Sequence, residues 1–341
     1  MRILHSMAGA SVGGAETFFV DAVMAIDEIG FAQRVVTRAN NLHKVQEIAA
    51  LDIYVDQASF HNVLSWPTSR TLKRAVGQFR PDIVHNWMGR AGSFSPAGAH
   101  RNIGWYGGYY KPDRFSRCDH HVAVTQDIAD HIVKHGVPAD RVSVLHVYAE
   151  FDKAEPLDRA EFDTPEGVPL LLSLSRLHPK KGLDTLLAAM TDVQDAHLWI
   201  AGSGSLEGEL KAQTRSLDLE DRVRFLGWRN DRGALLATAD LCVFPSRYEP
   251  FGAVVIEAWG TNTPLIAAKA AGPLAYVTHE EDGLLVEIDD AADLARSINR
   301  AIGDKYLRSH LVLNGRTQYE KKFTKDVFKA NVAALYNSLM R

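Results

Sequence analysis

Residues 170–190 read LLLSLSRLHPKKGLDTLLAAM, which is an apolar run followed by a basic loop ending in glycine and then by a helical pattern. A short apolar run between turn signals is typical of a buried strand, and the apolar spacing in 183–190 indicates a helix. Strand, loop and helix in this order make up a βαβ unit, whose strands pair in parallel. This stretch therefore predicts an α/β fold.

The same order recurs along the whole chain. In the first half it predicts strands at Ile3–Ser6, Arg34–Thr37, Ile53–Val55, Ile83–His85, Asn102–Tyr106, His121–Val124 and Val142–Leu145, with helices at about 15–29, 67–79 and 126–135. In the second half it predicts strands at Leu170–Ser175, His197–Ala201, Val223–Leu226, Leu241–Pro245, Leu265–Ala268 and Gly283–Val286, with helices at about 183–190, 206–216, 231–238, 252–259, 291–302, 305–321 and 325–339.

The alternation of strands and helices is interrupted once, in the acidic, Pro-containing stretch 150–167, which we interpret as a linker. We therefore expect two doubly wound parallel-sheet domains, residues 1–160 and 161–324. Such sheets place ligands at the carboxyl ends of their strands, and a cleft between the domains is the first place to expect a site.

Composition excludes several classes of protein. The chain has 341 residues, of which 46% are hydrophobic and 23% charged, as in a folded protein with room for two cores. Cys118 and Cys242 form no Cys-x-x-Cys pair, so we expect neither a disulfide framework nor a zinc motif, and a reducing cytoplasm. No signal peptide and no apolar run of about 18 residues is seen, so no membrane span is expected. The net charge of −4 argues against a general nucleic-acid binder.

Positive charge is concentrated between Trp66 and Arg117. This stretch has nine Lys and Arg residues, including Arg90, Arg114 and Arg117, against only two acidic ones. Such a surface suits an anionic acceptor or a phospholipid surface, or it is simply a solvated face. The sequence leaves both interpretations open.

The loop after the first strand, 7–16, is a glycine-rich turn before a helix. Free N–H groups at a helix N-terminus suit an anionic ligand. The motif is neither a dinucleotide fingerprint, since Gly9-x-Ser11-x-x-Gly14 lacks the middle glycine, nor a P-loop, since Ala15 stands where lysine is needed. A flexible strand-to-helix turn is the alternative.

Two loops in the second half offer polar groups at strand ends. Arg176 and Lys181 leave the strand Leu170–Ser175 and have the chemistry to grip a diphosphate, although a basic surface loop would look the same. The next strand ends in Gly202-Ser203-Gly204, a turn that lets a ligand approach the backbone closely.

Residues 248–258, YEPFGAVVIEA, form the strongest segment. They follow a strand and open a helix, which places Gly252 at a helix N-terminus, Glu249 on the loop and Glu257 within the first two turns. Carboxylates so placed can bind sugar and ribose hydroxyls. Alternatively, Glu249 is a cap and Glu257 a solvated helix residue.

Five motifs together resemble the retaining glycosyltransferases of family 4, which have the GT-B fold. In order they are Gly13-Gly14-Ala15-Glu16, Ser175-Arg176-Leu177-x-x-x-Lys181-Gly182, Gly202-x-Gly204, Glu249-Pro250-Phe251-Gly252-x₄-Glu257-Ala258 and Asp282-Gly283-Leu284-Leu285-Val286. The resemblance implies two Rossmann-like domains facing a deep cleft, an N-terminal domain for the acceptor, a C-terminal domain for the nucleotide sugar, and a last helix, about 325–341, that crosses back onto the N-terminal domain.

The resemblance also implies a role for each matching residue. Arg176 and Lys181 would neutralise the donor diphosphate, Glu249 would hold the transferred sugar, and Glu257 the ribose. The other donor-binding residues implied are Gly13, Gly14, Gly202, Gly204, Pro250, Phe251 and Gly252. The acceptor side would include Glu16, Arg90, Arg114 and Arg117.

No Asp-x-Asp triplet occurs, so we expect no metal and no cofactor besides the nucleotide sugar. Retention by front-face attack needs no protein nucleophile, unlike a glycosidase with two opposed carboxylates. His131 and His135 have a metal-ligand spacing, but without a third ligand we interpret them as solvated helix residues.

The N-terminal domain departs from the family pattern. Many relatives have His-x-His after the fourth strand, whereas here the order is His85-Asn86-Trp87. Either His85 keeps a catalytic role or it is a buried strand histidine, and Arg90 is the better polar candidate. The family's Asn-Gly after the last N-terminal strand is replaced by His146-Val147-Tyr148.

Residues 87–91 and 109–120 are similar to lipopolysaccharide-core members of the family. The sequence therefore predicts a metal-independent hexosyltransferase that moves a hexose with retention from a UDP- or GDP-sugar, GDP-mannose among them, to a glycan or glycolipid hydroxyl of the cell envelope. We expect it in the cytoplasm, peripheral on the inner membrane. A nucleotide-sugar epimerase and a catalytically silent nucleotide-sugar-binding protein are the alternatives.

Overall fold

The computed structural model describes residues 1–9, 13–38, 42–61, 65–151 and 155–341. Its strands are β1 Arg2–Met7, β2 Ala32–Thr37, β3 Tyr54–Gln57, β4 Ile83–Trp87, β5 Arg101–Tyr106, β6 His120–Ala123, β7 Val142–Val144, β8 Leu170–Leu174, β9 His197–Ala201, β10 Val223–Gly227, β11 Leu241–Phe244, β12 Leu265–Ala268 and β13 Leu284–Val286. Its helices are α1 Gly14–Glu28, α2 Leu42–Ala49, α3 Trp66–Phe79, α4 Met88–Gly92, α5 Gln126–Lys134, α6 Leu183–Ala189, α7 Glu207–Ser216, α8 Arg232–Thr238, α9 Ala253–Gly260, α10 Ala271–Tyr276, α11 Ala291–Gly303, α12 Lys305–Lys322 and α13 Lys325–Leu339.

The described residues divide into two compact units. Unit 1 consists of Met1–Tyr148 with Lys325–Arg341, and unit 2 of Ala149–Thr324. The chain thus leaves unit 1 at Tyr148, ahead of the expected position at 160, and the whole acidic stretch 150–167 belongs to unit 2 as far as it is described. Residues 10–12 of the glycine-rich turn and 152–154 of the expected linker lie outside the described residues.

Each unit has one parallel sheet. The order in unit 1 is β3-β2-β1-β4-β5-β6-β7, and in unit 2 it is β10-β9-β8-β11-β12-β13. In both, the winding direction reverses once, between β1 and β4 and between β8 and β11. The predicted pair of doubly wound α/β sheets is therefore confirmed, and each unit has a switch point, which is where such folds bind ligands.

The central strand of the unit 2 sheet, β8, is almost entirely apolar. All five side chains of β8 are buried, and Leu171, Leu186, Leu198 and Ile200 are among the fully buried residues of its core. Strands covered by helices on both faces need such continuous apolar runs, which is why the run LLLSL identifies β8 in the sequence. Cys118 and Cys242 are buried and unpaired.

The C-terminal helix α13 packs on α1 within unit 1, as the family resemblance predicted. Phe328 meets Phe18 edge to face with ring centroids 5.5 Å apart. Both Lys325 and Lys329 form ion pairs with Glu28 at the end of α1. Aromatic burial and charge pairing together therefore fix the last helix on the unit that begins the chain.

The switch point of unit 1 contains a chain of buried, hydrogen-bonded polar side chains. Trp87 Nε1 donates to His5 Nδ1 over 3.1 Å, which leaves the proton of neutral His5 on Nε2, 2.9 Å from Gln33 Oε1. Gln33 Nε2 in turn donates to the carbonyl of Val23 over 3.1 Å. This chain of hydrogen bonds, which begins at Trp87, thus connects β4, β1, β2 and α1.

Burial makes this cluster sensitive to acid. It lowers the pKa of His5 to about 4, with partial compensation by the hydrogen bond to Gln33. The unfolded imidazole has a pKa near 6.5, so between about pH 6.5 and 4 the unfolded state binds more protons and stability falls as pH falls. Between pH 7 and pH 5, wild type should lose about 2 kcal/mol more unfolding free energy than His5→Gln.

Denaturant unfolding of both proteins at the two pH values measures this difference. Equal pH dependence would contradict the interpretation. An NMR titration of the wild-type His5 imidazole provides a test that does not depend on the variant folding, and a midpoint near 6.5 would contradict it as well.

Candidate functional site

The strongest candidate site lies at the switch point of unit 2, where the loops after β8 and β11 meet. Lys181 Nζ lies 2.5 Å from Glu249 Oε2, and the two side chains are only 15% and 17% exposed. Lys181 closes the 3₁₀ turn Pro179–Lys181, while Glu249 lies four residues after the buried Pro245. The two residues are 68 positions apart in sequence. The strand order brings them together.

Glycines allow the loops at this edge to pack backbone against backbone. A Cβ at Gly182, where φ is +63°, would lie 2.1 Å from the carbonyl oxygen of Pro245. One at Gly202 would lie 1.8 Å from the oxygen of Ser175, and one at Gly204 would lie 2.3 Å from that of Leu177. The loops after β8, β9 and β11 therefore form one continuous edge, and these glycines are required by the fold itself.

Helix α9 begins beside this pair. Its N-cap is Gly252, with φ +89° and no side-chain cap. Tyr276 Oη lies 2.7 and 3.0 Å from the carbonyl oxygens of Phe251 and Gly252, and its ring stacks on that of Phe251 at 5.2 Å. Pro250, half-buried, joins this turn to Glu249. The turn is thus held from one side while a helix N-terminus, which favours anions, begins next to Lys181–Glu249.

Glu257 does not point into solvent. Its side chain is 4% exposed and forms an ion pair with Arg232, the first residue of α8. The alternative of a solvated helix residue is therefore wrong. Sequence reasoning missed Arg232, because a pairing across 25 residues leaves no local pattern.

Arg176 differs from the other cations at this edge. It is exposed, and its side chain forms no ion pair or hydrogen bond with any residue that the structure describes. Arg247, in contrast, is held by Asp184 and Asp289. Sequence analysis did not single out Arg247.

The N-terminal candidates follow the carboxyl ends of β1, β4 and β5. Glu16 is in the first turn of α1 and lies close to Gly9 and Gly13. Gly13 has an extended backbone with φ 169° and precedes α1 without a side-chain cap. A Cβ at Gly14 would meet nothing within 4 Å among the described atoms, so packing there does not require glycine.

The basic candidates of unit 1 are exposed. Arg90 is the middle residue of the short helix α4, and Arg114 and Arg117 lie in the segment between β5 and β6. The Arg114 side chain reaches α4, since its Cδ would be 2.9 Å from a Cβ at Gly89. Arg117 Nη1 donates to the carbonyl of Ser95 over 3.4 Å. Arg90 and Arg114 therefore lie near one another beyond the carboxyl end of β4, whereas Arg117 lies shortly before β6, close to the amino ends of β5 and β6.

His85 occupies a different environment. It is fully buried, its ring stacks on Trp87 with centroids 4.4 Å apart, and its Nδ1 lies 2.7 Å from Tyr336 Oη of α13. Burial, followed by the nearby His5, lowers the pKa of His85 well below its ordinary value. These are the surroundings of a histidine packed inside the unit, next to the helix that closes it.

Over the described ranges, no group of three His, Cys, Asp or Glu side chains is arranged to hold a metal ion. His131 on α5 and His135, the residue directly after that helix, have ring centroids 4.2 Å apart. No helix in the same ranges is both long and apolar enough to cross a membrane.

Comparison with known proteins gives two family matches that cover most of the chain. Residues 12–147 match the family described as Glycosyltransferase Family 4, and residues 155–318 match the one described as Glycosyl transferases group 1. The chain is 32% identical to the lipopolysaccharide core biosynthesis glycosyltransferase LpsD of Rhizobium meliloti, over 96% of this chain and 97% of that protein. It is 30% identical to LpsE of the same organism, over 96% of each.

Solved structures with the same fold cover the whole chain. A glycosyltransferase from Rickettsia africae superposes with a TM-score of 0.87 at 18% identity, over 100% of this chain and 98% of that one. Anabaena Alr3699/HepE in complex with UDP superposes with a TM-score of 0.85 at 22% identity, over 99% and 100%. The fold, the family matches and the identity to LpsD agree: the chain belongs to glycosyltransferase family 4, whose GT-B enzymes transfer sugars with retention from nucleotide sugars without an obligatory metal.

Proposed function

We propose that this enzyme transfers a hexose from a UDP- or GDP-sugar, GDP-mannose among the candidates, to a hydroxyl of a lipopolysaccharide-core or related cell-envelope glycan. The Lys181–Glu249 pair beside the start of α9 is the observation that carries the proposal. The names of LpsD and LpsE support the acceptor class, and Anabaena HepE, solved with UDP-glucose, supports a nucleoside diphosphate donor.

The charges around the pair suit a sugar diphosphate. A carboxylate next to a diphosphate repels it unless a cation lies between them. Lys181, already 2.5 Å from Glu249, supplies that cation, and the exposed Arg176 has its guanidinium available for a second, bidentate contact. In our proposal Glu249 binds hydroxyls of the transferred sugar, and the amides at Phe251 and Gly252 bind phosphate oxygens.

The same edge would hold the rest of the donor. Glu257 is held in place by its ion pair with Arg232 and is proposed to accept hydrogen bonds from the ribose. The close-packed turns at Gly202 and Gly204 keep side chains away from the nucleotide. On unit 1, Gly13 and Gly14 at the start of α1 are also proposed as donor-binding residues, because packing does not account for glycine at position 14.

The reaction needs no nucleophile from the protein in this proposal. The acceptor oxygen forms a bond to the anomeric carbon on the face from which the phosphate oxygen departs, and the hydroxyl proton passes to that phosphate oxygen. Charge grows on the leaving diphosphate, where Arg176, Lys181 and the α9 amides stabilise it. His85, inside unit 1, would support the fold of the acceptor unit and take no direct part.

The acceptor side of the proposal rests on exposed charge. Glu16, Arg90 and Arg114 follow the carboxyl ends of β1, β4 and β5 in the unit 1 sheet, where ligands bind in this class of fold, and Arg117 adds an exposed cation shortly before β6. Exposed cations on this unit attract an anionic glycolipid and the anionic lipid around it. We therefore propose a peripheral enzyme at the cytoplasmic face of the inner membrane.

Replacing either member of the central pair should abolish activity without unfolding the protein. Lys181→Ala and Glu249→Ala are each expected to lower kcat by about 100-fold or more, because a fixed charge at the leaving group or the sugar is lost. Initial-rate assays of sugar transfer measure the loss, and thermal melting measures folding.

Lys269→Ala provides the matched control, since it breaks another Lys–Glu pair of unit 2, the one with Glu287. It should retain wild-type turnover. Full activity in Lys181→Ala or Glu249→Ala would refute the assignment of the pair.

Reversing two exposed cations of unit 1 should weaken membrane binding. The affinity for vesicles containing anionic phospholipid, measured by co-sedimentation, should fall about 30-fold for the Arg114→Glu, Arg117→Glu double variant, with each lost cation contributing about 1 kcal/mol. The control is Arg215→Glu with Arg296→Glu, which makes the same charge change on exposed helix residues of unit 2. Binding equal to wild type in the unit 1 variant would eliminate the membrane proposal.

Product analysis separates the enzyme from its alternatives. With donor and a crude cell-envelope acceptor extract, sugar should move to the acceptor. Conversion of donor alone to an isomeric nucleotide sugar would indicate an epimerase, and an unchanged donor would indicate a silent binding protein.

A further inference from the structure

Arg247 lies two residues before Glu249, and each of its guanidinium nitrogens donates a hydrogen bond to another group of the protein. Its Nη1 donates to the carbonyl of Pro179 over 2.7 Å. Nη1 and Nη2 form a bidentate pair with Asp184, at 2.8 and 2.6 Å. Nε lies 2.5 Å from Asp289 Oδ1. One side chain thus links three segments: the turn after β8, the start of α6 and the loop before α11.

The backbone repeats the same connection. The amides of Arg247 and Tyr248 both donate to the carbonyl of Lys180, over 2.9 and 3.2 Å. Lys180 immediately precedes Lys181, and Tyr248 immediately precedes Glu249. The loop that carries the carboxylate is therefore fixed to the turn that carries the ammonium at a position one residue from each.

The charge of Arg247 is already balanced. Two carboxylates, Asp184 and Asp289, accept hydrogen bonds from the guanidinium, and the bonds to Asp184, then to Asp289, raise the pKa of Arg247. With two anions around one cation, this group has no attraction left for a phosphate. It differs in this from Arg176, which has no ion pair among the described residues, and from Lys181, which has a single carboxylate.

We infer that Arg247 is a positioning residue, which holds the Pro179–Lys181 turn against the Glu249 loop so that the pair is preformed when the donor arrives. The inference rests on the proposed function of Lys181 and Glu249. Preformed geometry lowers the ordering cost of binding, and displacement of a binding group by about 1 Å costs up to about 100-fold in rate.

A double-mutant cycle on nucleotide affinity tests this role. Isothermal titration calorimetry with UDP and with GDP is carried out on wild type, Arg247→Gln, Asp184→Ala, Lys181→Ala and the Arg247→Gln, Lys181→Ala double variant. We expect Arg247→Gln and Asp184→Ala each to weaken binding about tenfold, and Arg247→Gln to add less than about twofold once Lys181 is absent, because it acts through Lys181.

Asp184→Ala separates positioning from direct contact. If Arg247 contacts the nucleotide directly, removing the neighbouring carboxylate should tighten nucleotide binding. If Arg247 instead positions Lys181, removing that carboxylate releases the Pro179–Lys181 turn and should weaken nucleotide binding. Arg247→Lys should fail to restore affinity, since an ammonium lacks the planar fork that reaches Pro179 and Asp184 together. Arg300→Gln, which breaks the Arg300–Glu280 pair elsewhere in unit 2, should bind as wild type does.

Three results would overturn the inference: additive losses in the double variant, unchanged or tighter binding by Asp184→Ala, or rescue by Arg247→Lys. Failure of the proposed function has a different signature. If wild type bound neither nucleotide, or if Lys181→Ala bound as tightly as wild type, the assignment of the pair would fall and the role of Arg247 with it.

Discussion

The adjacency of β8 and β11 is the constraint on which the site depends. These strands are neighbours only because the winding of the sheet reverses between them, and their loops then leave the same edge. The 2.1 Å that would separate a Cβ at Gly182 from the carbonyl of Pro245 shows how closely those loops approach. Lys181 and Glu249 meet because the backbones beneath them do, and Arg247 adds side-chain contacts to the same junction.

The two units use equivalent switch points differently. In unit 1 the reversal between β1 and β4 holds Trp87, His5 and His85, all buried; Trp87 Nε1 donates to His5 Nδ1, and His85 Nδ1 lies 2.7 Å from Tyr336 Oη. In unit 2 the reversal is lined by charged side chains and by an uncapped helix start. The first arrangement supports the helix α13 through Tyr336, whereas the second has the chemistry to bind an anion.

Local patterns predicted the elements well and long-range pairs poorly. The runs that predicted Leu170–Ser175 and 325–339 correspond to β8 and α13, because a continuous apolar run and a helical spacing are both readable within one segment. The short helices α2, α4 and α10 were not predicted, since five to eight residues carry little periodicity. Arg232–Glu257 and Arg247–Asp184 span 25 and 63 positions, and only the folded strand order pairs them. Trp87 departs from the family's sequence pattern. The structure explains it by the hydrogen bond from its indole to His5, 82 positions away in sequence.

The central claim is that the edge formed by β8, β9 and β11 binds a nucleoside diphosphate sugar with protein cations and amides alone. A thermal-shift screen with UDP, GDP, ADP and their sugars, in the presence of EDTA, tests it most directly. A ligand at 100 times its dissociation constant adds about 2.7 kcal/mol of stability, so one nucleotide and its sugar should raise the melting temperature by several degrees without a metal. No shift with any of them, or a shift that EDTA abolishes, would contradict the claim.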